Sequence, residues 1–276
     1  MNLHLRKPIP PITPESAGWT FLSFRWGPLT APVQADTGDR ELALVVIAGR
    51  IAVQAGSTRI EAGTGRSSPF DGMPEAVYLP PGTQYTVEAI GGAADVAFLE
   101  ALADADRAGP IAHVRAQDVL IETRGAGNAT RQINHLLPPE FAAHRLLVVE
   151  VFTPAGSWSS FPPHKHDVLS EPGEVILEEV YAYRVSRPEG FGVQRVYTRD
   201  GELDEVYVVR DGDAVLVPKG YHPFVAAHGY DCYYLNALAG DVRSMAASDD
   251  PDLAWVRDTW ASLETDPRVP LVGGSR

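Results

Sequence analysis

Pro162-Pro163-His164-Lys165-His166-Asp167 decides the reading of this chain, together with Gly212-Asp213-Ala214-Val215-Leu216-Val217-Pro218-Lys219-Gly220-Tyr221-His222 further on. Side chains alternate across a β-strand with a period of two, so His164 and His166 point to the same side. An imidazole pair on one face suits a borderline divalent cation. In the second stretch Asp211-Gly212-Asp213 marks a turn, Ala214 to Val217 a short apolar strand, and Pro218-Lys219-Gly220 the next turn. His222 can then return on a neighbouring strand and close one metal site with the first pair.

Four carboxylates that could join the set, Glu171, Glu174, Glu178 and Glu179, follow His166. Ser170-Glu171-Pro172-Gly173-Glu174 reads as a loop insertion. Strand character resumes at Val175-Ile176-Leu177 and runs through Val180-Tyr181-Ala182-Tyr183. On that strand Glu179, Tyr181 and Tyr183 share one face, and Glu178, Val180 and Ala182 the other. A ligand with two phenols beside it makes a sensible inward row, so Glu179 is the expected metal ligand.

Convincing helical spacing occurs only over Pro251 to Leu263. Elsewhere short apolar stretches alternate with Gly, Pro and Asp turns, as in Leu42–Val46, Arg50–Val53, Tyr85–Ala89, Leu146–Phe152, Gly192–Tyr197 and Tyr233–Ala237. Many short strands at that spacing predict an all-β sandwich or barrel. There is also an internal echo: Val77-Tyr78-Leu79-Pro80-Pro81-Gly82-Thr83-Gln84 aligns with Val215 to His222, and Gln84 falls where His222 falls. Two related barrels follow, the first (1–120) without a metal and the second (121–276) with one, plus a short C-terminal helix. An amide oxygen alone is a poor ligand for such an ion. One metal per chain is therefore expected, with Arg66, Tyr78 and Gln84 serving packing and assembly.

The chain has 276 residues and a net charge of −13, which argues against nucleic acid or an anionic membrane as main partner. Cys232 is the single cysteine, so no intrachain disulfide forms. Met1 to Pro14 is Pro-rich with no apolar core of a secretory signal, and the longest apolar run, Leu42 to Ala48, is too short to span a bilayer. A cytoplasmic protein is the expectation.

The second His block, G-x5-P-x-G-x-H, resembles the second cupin motif, which usually carries one more residue before its His. Beyond that, Arg66-Ser67-Ser68-Pro69-Phe70, Arg131-Gln132-Ile133, Phe161 to Asp167, Leu177-Glu178-Glu179-Val180-Tyr181-Ala182-Tyr183-Arg184, Gly190 to Thr198 and Val217 to Pro223 together resemble the 5-deoxy-glucuronate isomerases of myo-inositol catabolism. These are bicupins related to the uronate ketol-isomerases of pectin breakdown. Those relatives carry H-x-H-x4-E ahead of an aromatic-rich strand. Here Glu171 has the bare spacing but the aromatic strand follows Glu179, so the match requires an insertion after His166.

The resemblance implies conversion of 5-deoxy-D-glucuronate to 5-dehydro-2-deoxy-D-gluconate, with His164, His166, Glu179 and His222 on a divalent metal. Zinc is the first choice, with Mn, Fe or Ni fitting nearly as well. The cation would polarise the carbonyl and stabilise an enediolate. A base is also required, for which a water on the metal or Glu178 are candidates. Gln194 and Lys219 complete the expected catalytic set. Tyr181, Tyr183 and Arg195 are expected to meet the substrate, although Gln194 and Arg195 must face opposite ways. Pairing of exposed cupin sheets makes a homo-oligomer plausible. Two other functions use the same residues: an Fe-dependent cupin dioxygenase, and a non-catalytic sugar-binding bicupin.

Overall fold

The computed structural model describes residues 2–274, and among them the chain is almost wholly antiparallel strand. A five-stranded sheet, in the order Ala112–Val114, Ala76–Leu79, Arg40–Ala48, Asp95–Leu102, Leu22–Pro28, faces a four-stranded sheet made of Val33–Asp36, Gln84–Ala89, Ile51–Ala55 and Thr58–Ala62. A seven-stranded sheet, in the order His4–Leu5, Ala214–Val217, Glu178–Val185, Cys232–Ala239, Leu147–Thr153, Arg131–Leu137, Leu120–Arg124, faces another four-stranded sheet of Trp158–Ser159, Phe224–Ala226, Gly192–Tyr197 and Asp204–Val209.

Three apolar layers hold the sheets. Leu42, Leu44 and Val46 pack with Ile51, Val53 and Val87 between the first two sheets. Tyr181, Tyr183, Val149, Val151 and Phe224 do the same between the last two. The alternate residues of the large sheets, Ala43, Val45 and Ile47 on one side and Val180, Ala182, Leu235 and Ala237 on the other, form the central layer. The large sheets therefore pack back to back. A strand covered on both faces reads as an unbroken apolar run instead of an alternation, which is why Leu42 to Ala48 looks as it does.

The echo extends into the pairing. Leu42 stands opposite Leu79, and Glu179 opposite Val217. Since Leu79 corresponds to Val217, Leu42 corresponds to Glu179 and Glu41 to Glu178. Each lobe also borrows a strand that precedes the other. His4–Leu5 pairs with Ala214–Val217 in the second lobe, and Ala112–Val114 pairs with Ala76–Leu79 in the first. His4 lies 3.0 Å from Asp213 and His113 lies 3.1 Å from Glu75, at the offset that relates Val77 to Val215. The turn glycines of the echo, Gly82 and Gly220, both have positive φ. At Gly220 a side chain would also meet the Tyr197 carbonyl oxygen at 2.4 Å.

Reciprocal carboxylates lock the central layer. Glu41 accepts from the amides of His144, Arg145 and Leu146 at 2.6–2.7 Å, and from the Tyr78 hydroxyl at 2.7 Å. Its counterpart Glu178 accepts from the amides of Thr20, Phe21 and Leu22 at 2.5–2.9 Å. Arg66 reaches across to Glu150 at 2.6 Å with both side chains almost wholly buried, and Tyr233 donates to the same carboxylate. Gln84, in contrast, is exposed on the outer sheet.

The C-terminal helix is shorter than the expected Pro251 to Leu263. Only Val256–Thr259 is α-helical, followed by a 3₁₀ turn at Trp260–Ser262. A short helix needs an apolar face packed against the body. Here Trp255 and Leu263 are at least half exposed, and three-residue bonds such as Val256 to Leu253 take over. A further single turn, Pro14–Ala17, capped by Thr13, is not evident in the sequence pattern.

Glu41→Gln and Glu178→Gln each replace a charged acceptor of three amides by a neutral one. Each is expected to destabilise the chain by about 2 kcal/mol, read as a lower urea midpoint, with the metal content of Glu178→Gln unchanged.

Candidate metal centre

The two-residue strand His164–Lys165 pairs with Ser248–Asp249 and delivers His166 into the interior of the second lobe. Glu179 enters from the start of Glu178–Val185, and His222 follows the turn after Ala214–Val217. All three are buried, and their ligand atoms lie within 4.8 Å of one another, the one such group of three among the described residues. His166 Nε2 is 2.7 Å and His222 Nε2 3.2 Å from the same oxygen, Glu179 Oε2. The His164 ring stands edge-on to His222 at 4.8 Å between centroids and lines the same cavity.

The surroundings aim these rings. His166 Nδ1 donates to the Leu177 carbonyl at 3.1 Å, and His222 Nδ1 to the Gly220 carbonyl at 2.9 Å. A carbonyl only accepts, so each neutral ring turns its Nε2 lone pair inward. Two lone pairs and a carboxylate then converge in a buried site, an arrangement that calls for a cation. His222 Nε2 makes no hydrogen bond at all. Burial pushes the Glu179 carboxyl up, but the neighbouring His222 and His166 outweigh it and hold the group below its ordinary range. Burial pulls His166 down, and Glu179 more than reverses this. His164 sits well below its ordinary value through burial and the two neighbouring rings. A divalent metal fits this donor set.

Lys165, between the two histidines, faces the other way. Its Nζ bonds Asp167 at 2.5 Å and Glu174 at 2.7 Å, while Asp167 Oδ2 accepts from the Gly220 amide at 2.8 Å. Glu174 also takes the amides of Asp167 and Val168, both at 2.9 Å. Glu174 therefore organises the loop that links the two His blocks, and Glu171 is exposed on it. Neither reaches the three-residue group.

A cavity of about 150 Å³ opens beside the group. Its walls are apolar at Ile133, Val149, Val151 and Leu238, and polar at Tyr181, Tyr234, Asn236 and Ser160. Ser160 is the one described non-glycine residue with positive φ, and its hydroxyl lies 3.2 Å from Tyr181 Oη. Such a conformation carries a strain of about 1 kcal/mol or more and often marks functional positions. Arg124, Arg131 and Arg257 also line the cavity, and none of them stood out as a site residue in the sequence. The signal available was a cation at Arg131 on the same strand face as Ile133. A larger cleft of about 840 Å³ lies elsewhere, between the lobes. Its Arg66 and Arg184 are already committed to Glu150 and to Asp95 and Asp211, so it offers no converging set of free polar groups.

Several sequence candidates lie away from the cavity. Glu178, the candidate base, faces the first lobe because it is the odd neighbour of inward Glu179, and its oxygens are occupied by three amides. Lys219 is an exposed turn cation paired with Glu202 at 2.7 Å. Arg195 is exposed and paired with Asp204 at 2.7 and 2.8 Å. Gln194 points inward but accepts from the Tyr183 hydroxyl at 2.5 Å, and both are buried behind the cavity lining. Gln194 Nε2 also reaches the His222 carbonyl at 3.5 Å, which makes it a support of that segment. Tyr181 does line the cavity, with its ring set against His222.

The profile of the KduI/IolB family matches residues 4–256. The chain belongs to this family. Among the family's curated proteins, the 5-deoxy-glucuronate isomerase of Geobacillus thermodenitrificans is 43% identical over 251 residues, 90% of each chain. That of Shouchella clausii is 38% identical over 246 residues, 88% of this chain and 90% of its own. An IolB-like protein from Salmonella typhimurium LT2 superposes with a TM-score of 0.88 at 38% identity, covering 93% of this chain and 99% of its own. The oxalate decarboxylase of Lactobacillus farciminis, 9% identical with a TM-score of 0.60 over 87% of this chain and 82% of its own, shares the cupin fold.

Within this KduI/IolB chain the first lobe has the same strand plan and none of the ligands. Leu42 occupies the place of Glu179, and Leu44 and Val46 those of Tyr181 and Tyr183, all within an apolar interior. One metal per chain is expected by elemental analysis. His222→Ala should lose it while keeping its unfolding midpoint within a few degrees. Glu179→Gln is expected to weaken metal binding more than about 100-fold, whereas Glu174→Gln should leave affinity nearly unchanged. Full occupancy in His222→Ala would refute the ligand assignment.

Proposed function

We propose that this chain is an aldose–ketose isomerase that converts 5-deoxy-D-glucuronate to 5-dehydro-2-deoxy-D-gluconate. The buried convergence of His166, Glu179 and His222 in a KduI/IolB chain carries this reading, and the names of its relatives supply the substrate. His164, His166, Glu179 and His222 would hold the cation, with zinc the first choice because an isomerisation moves protons and needs no redox change at the metal. When bound, the cation polarises the substrate carbonyl and stabilises negative charge on the adjacent oxygens.

The protein's own groups do the rest. Leu177 and Gly220 fix the ring orientations through Nδ1. Burial raises the Tyr181 phenol far above its ordinary range, and that of Tyr234 in the same direction. Both remain protonated at neutral pH and donate hydrogen bonds to sugar oxygens. The apolar walls at Ile133, Val149, Val151 and Leu238 limit water around the reacting carbons.

Incubation of the purified protein with 5-deoxy-D-glucuronate should produce the keto acid. Chelation should reduce the rate by at least about 100-fold, and a divalent metal salt should restore it. Undiminished turnover in a protein shown to be metal-free would overturn the mechanism, and no turnover by the fully loaded protein would overturn the substrate.

A further inference from the structure

Arg131 opens the strand Arg131–Leu137 and shares its inward face with Ile133, while Gln132 and Asn134 face the other way. It is only 4% exposed and lines the same cavity as Glu179, His164 and His166. Two other arginines share that lining, and both are neutralised: Arg124 by Glu122 at 2.7 and 2.9 Å, and Arg257 by Asp249. Among the described residues Arg131 has no carboxylate partner, and its Nη1 is buried with no hydrogen bond. The one carboxylate of the cavity lining, Glu179, lies against His166 at 2.7 Å and His222 at 3.2 Å in the three-residue group. Burial pulls the Arg131 guanidinium down to about 10, which leaves it charged at neutral pH. A buried cation without a counterion is costly, and a guanidinium fork matches a carboxylate with two parallel hydrogen bonds.

We propose that Arg131 binds the carboxylate of the sugar acid and thereby sets both the specificity for an acidic sugar and the direction in which it lies in the cavity. The acid end sits at Arg131 and the carbonyl end at His166, Glu179 and His222. This rests on the isomerase reading for the identity of the substrate, but the need for an anion at Arg131 stands on the structure. The Arg124 and Arg257 side chains line the same cavity with their charges taken up by Glu122 and Asp249, while the exposed cations Arg195 and Lys219 lie outside it.

The test uses the metal-loaded full chain, with D-glucuronate as the probe and D-glucose as its neutral control. By titration calorimetry the wild type should bind glucuronate and not glucose. Arg131→Met should lose glucuronate affinity by about 10- to 100-fold, keep its metal, and unfold at an equal or higher temperature than the wild type without ligand. With 5-deoxy-D-glucuronate, KM should rise by a similar factor while kcat changes far less. Arg131→Lys, which keeps the charge and loses the fork, should fall between the two. Unchanged glucuronate affinity in either variant, or glucose bound as well as glucuronate by the wild type, overturns the proposal. So does a lower unfolding temperature for Arg131→Met, which marks a structural arginine. If the wild type binds glucuronate through Arg131 but does not isomerise 5-deoxy-D-glucuronate, the substrate assignment fails and the anion site stands.

Discussion

Glu178 and Glu179 are neighbours on one strand, and the alternation of that strand sends them to opposite sides of the seven-stranded sheet. Glu178 takes three backbone amides of the first lobe, and Glu179 meets two histidines inside the second. Amide donors and a charged acceptor form strong, direction-sensitive bonds. They fix the strand against the other lobe at the very point where it presents Glu179 to the buried histidines. The back-to-back packing of the large sheets and the position of Glu179 are therefore set by one register. A slip of a single residue would put Glu178 in the cavity and Glu179 in the interface.

Much of this is legible in the sequence because it follows from local rules. The period of two places Glu179, Tyr181 and Tyr183 together, the turn glycine brings His222 round, and the repeated Val-x-x-Pro-x-Gly phrase announces the second lobe. What escapes is whatever depends on packing between distant elements. Nothing near Glu178 says that its other face meets residues 20–22, so the same residue reads as a candidate base. Nothing near Arg195 or Lys219 says that Asp204 and Glu202 will stand beside them on the surface. Arg131 hides for the opposite reason: its neighbours in sequence are those of an ordinary strand, and its isolation is visible only once the other arginines of the cavity are seen to be paired. The C-terminal helix is short, and two of its apolar residues, Trp255 and Leu263, stay largely exposed.

The site is made of groups that a stable core would avoid. It combines an orphaned imidazole nitrogen at His222, a lone cation at Arg131 and a serine in the left-handed region at Ser160. Functional sites commonly depart from local rules in this way and are supported by well-satisfied surroundings. Here the support is the central layer, with Glu41, Glu178 and the Arg66–Glu150 pair joining the two lobes. The first lobe, with Leu42 at the position that corresponds to Glu179, contributes apolar burial.

The borrowed strands give the molecule a particular architecture of inheritance. His4–Leu5 completes the sheet of the distant lobe, and Ala112–Val114 returns the favour, so the contacts across the centre come in matched pairs. Matched pairs are the mark of an isologous two-fold interface, here written into a single polypeptide. Once two such halves share one chain, symmetry is no longer enforced by identical sequences. One half is free to lose its polar interior and become scaffold, while the other accumulates the costly residues of a binding site. The first few residues then belong to the second lobe's edge.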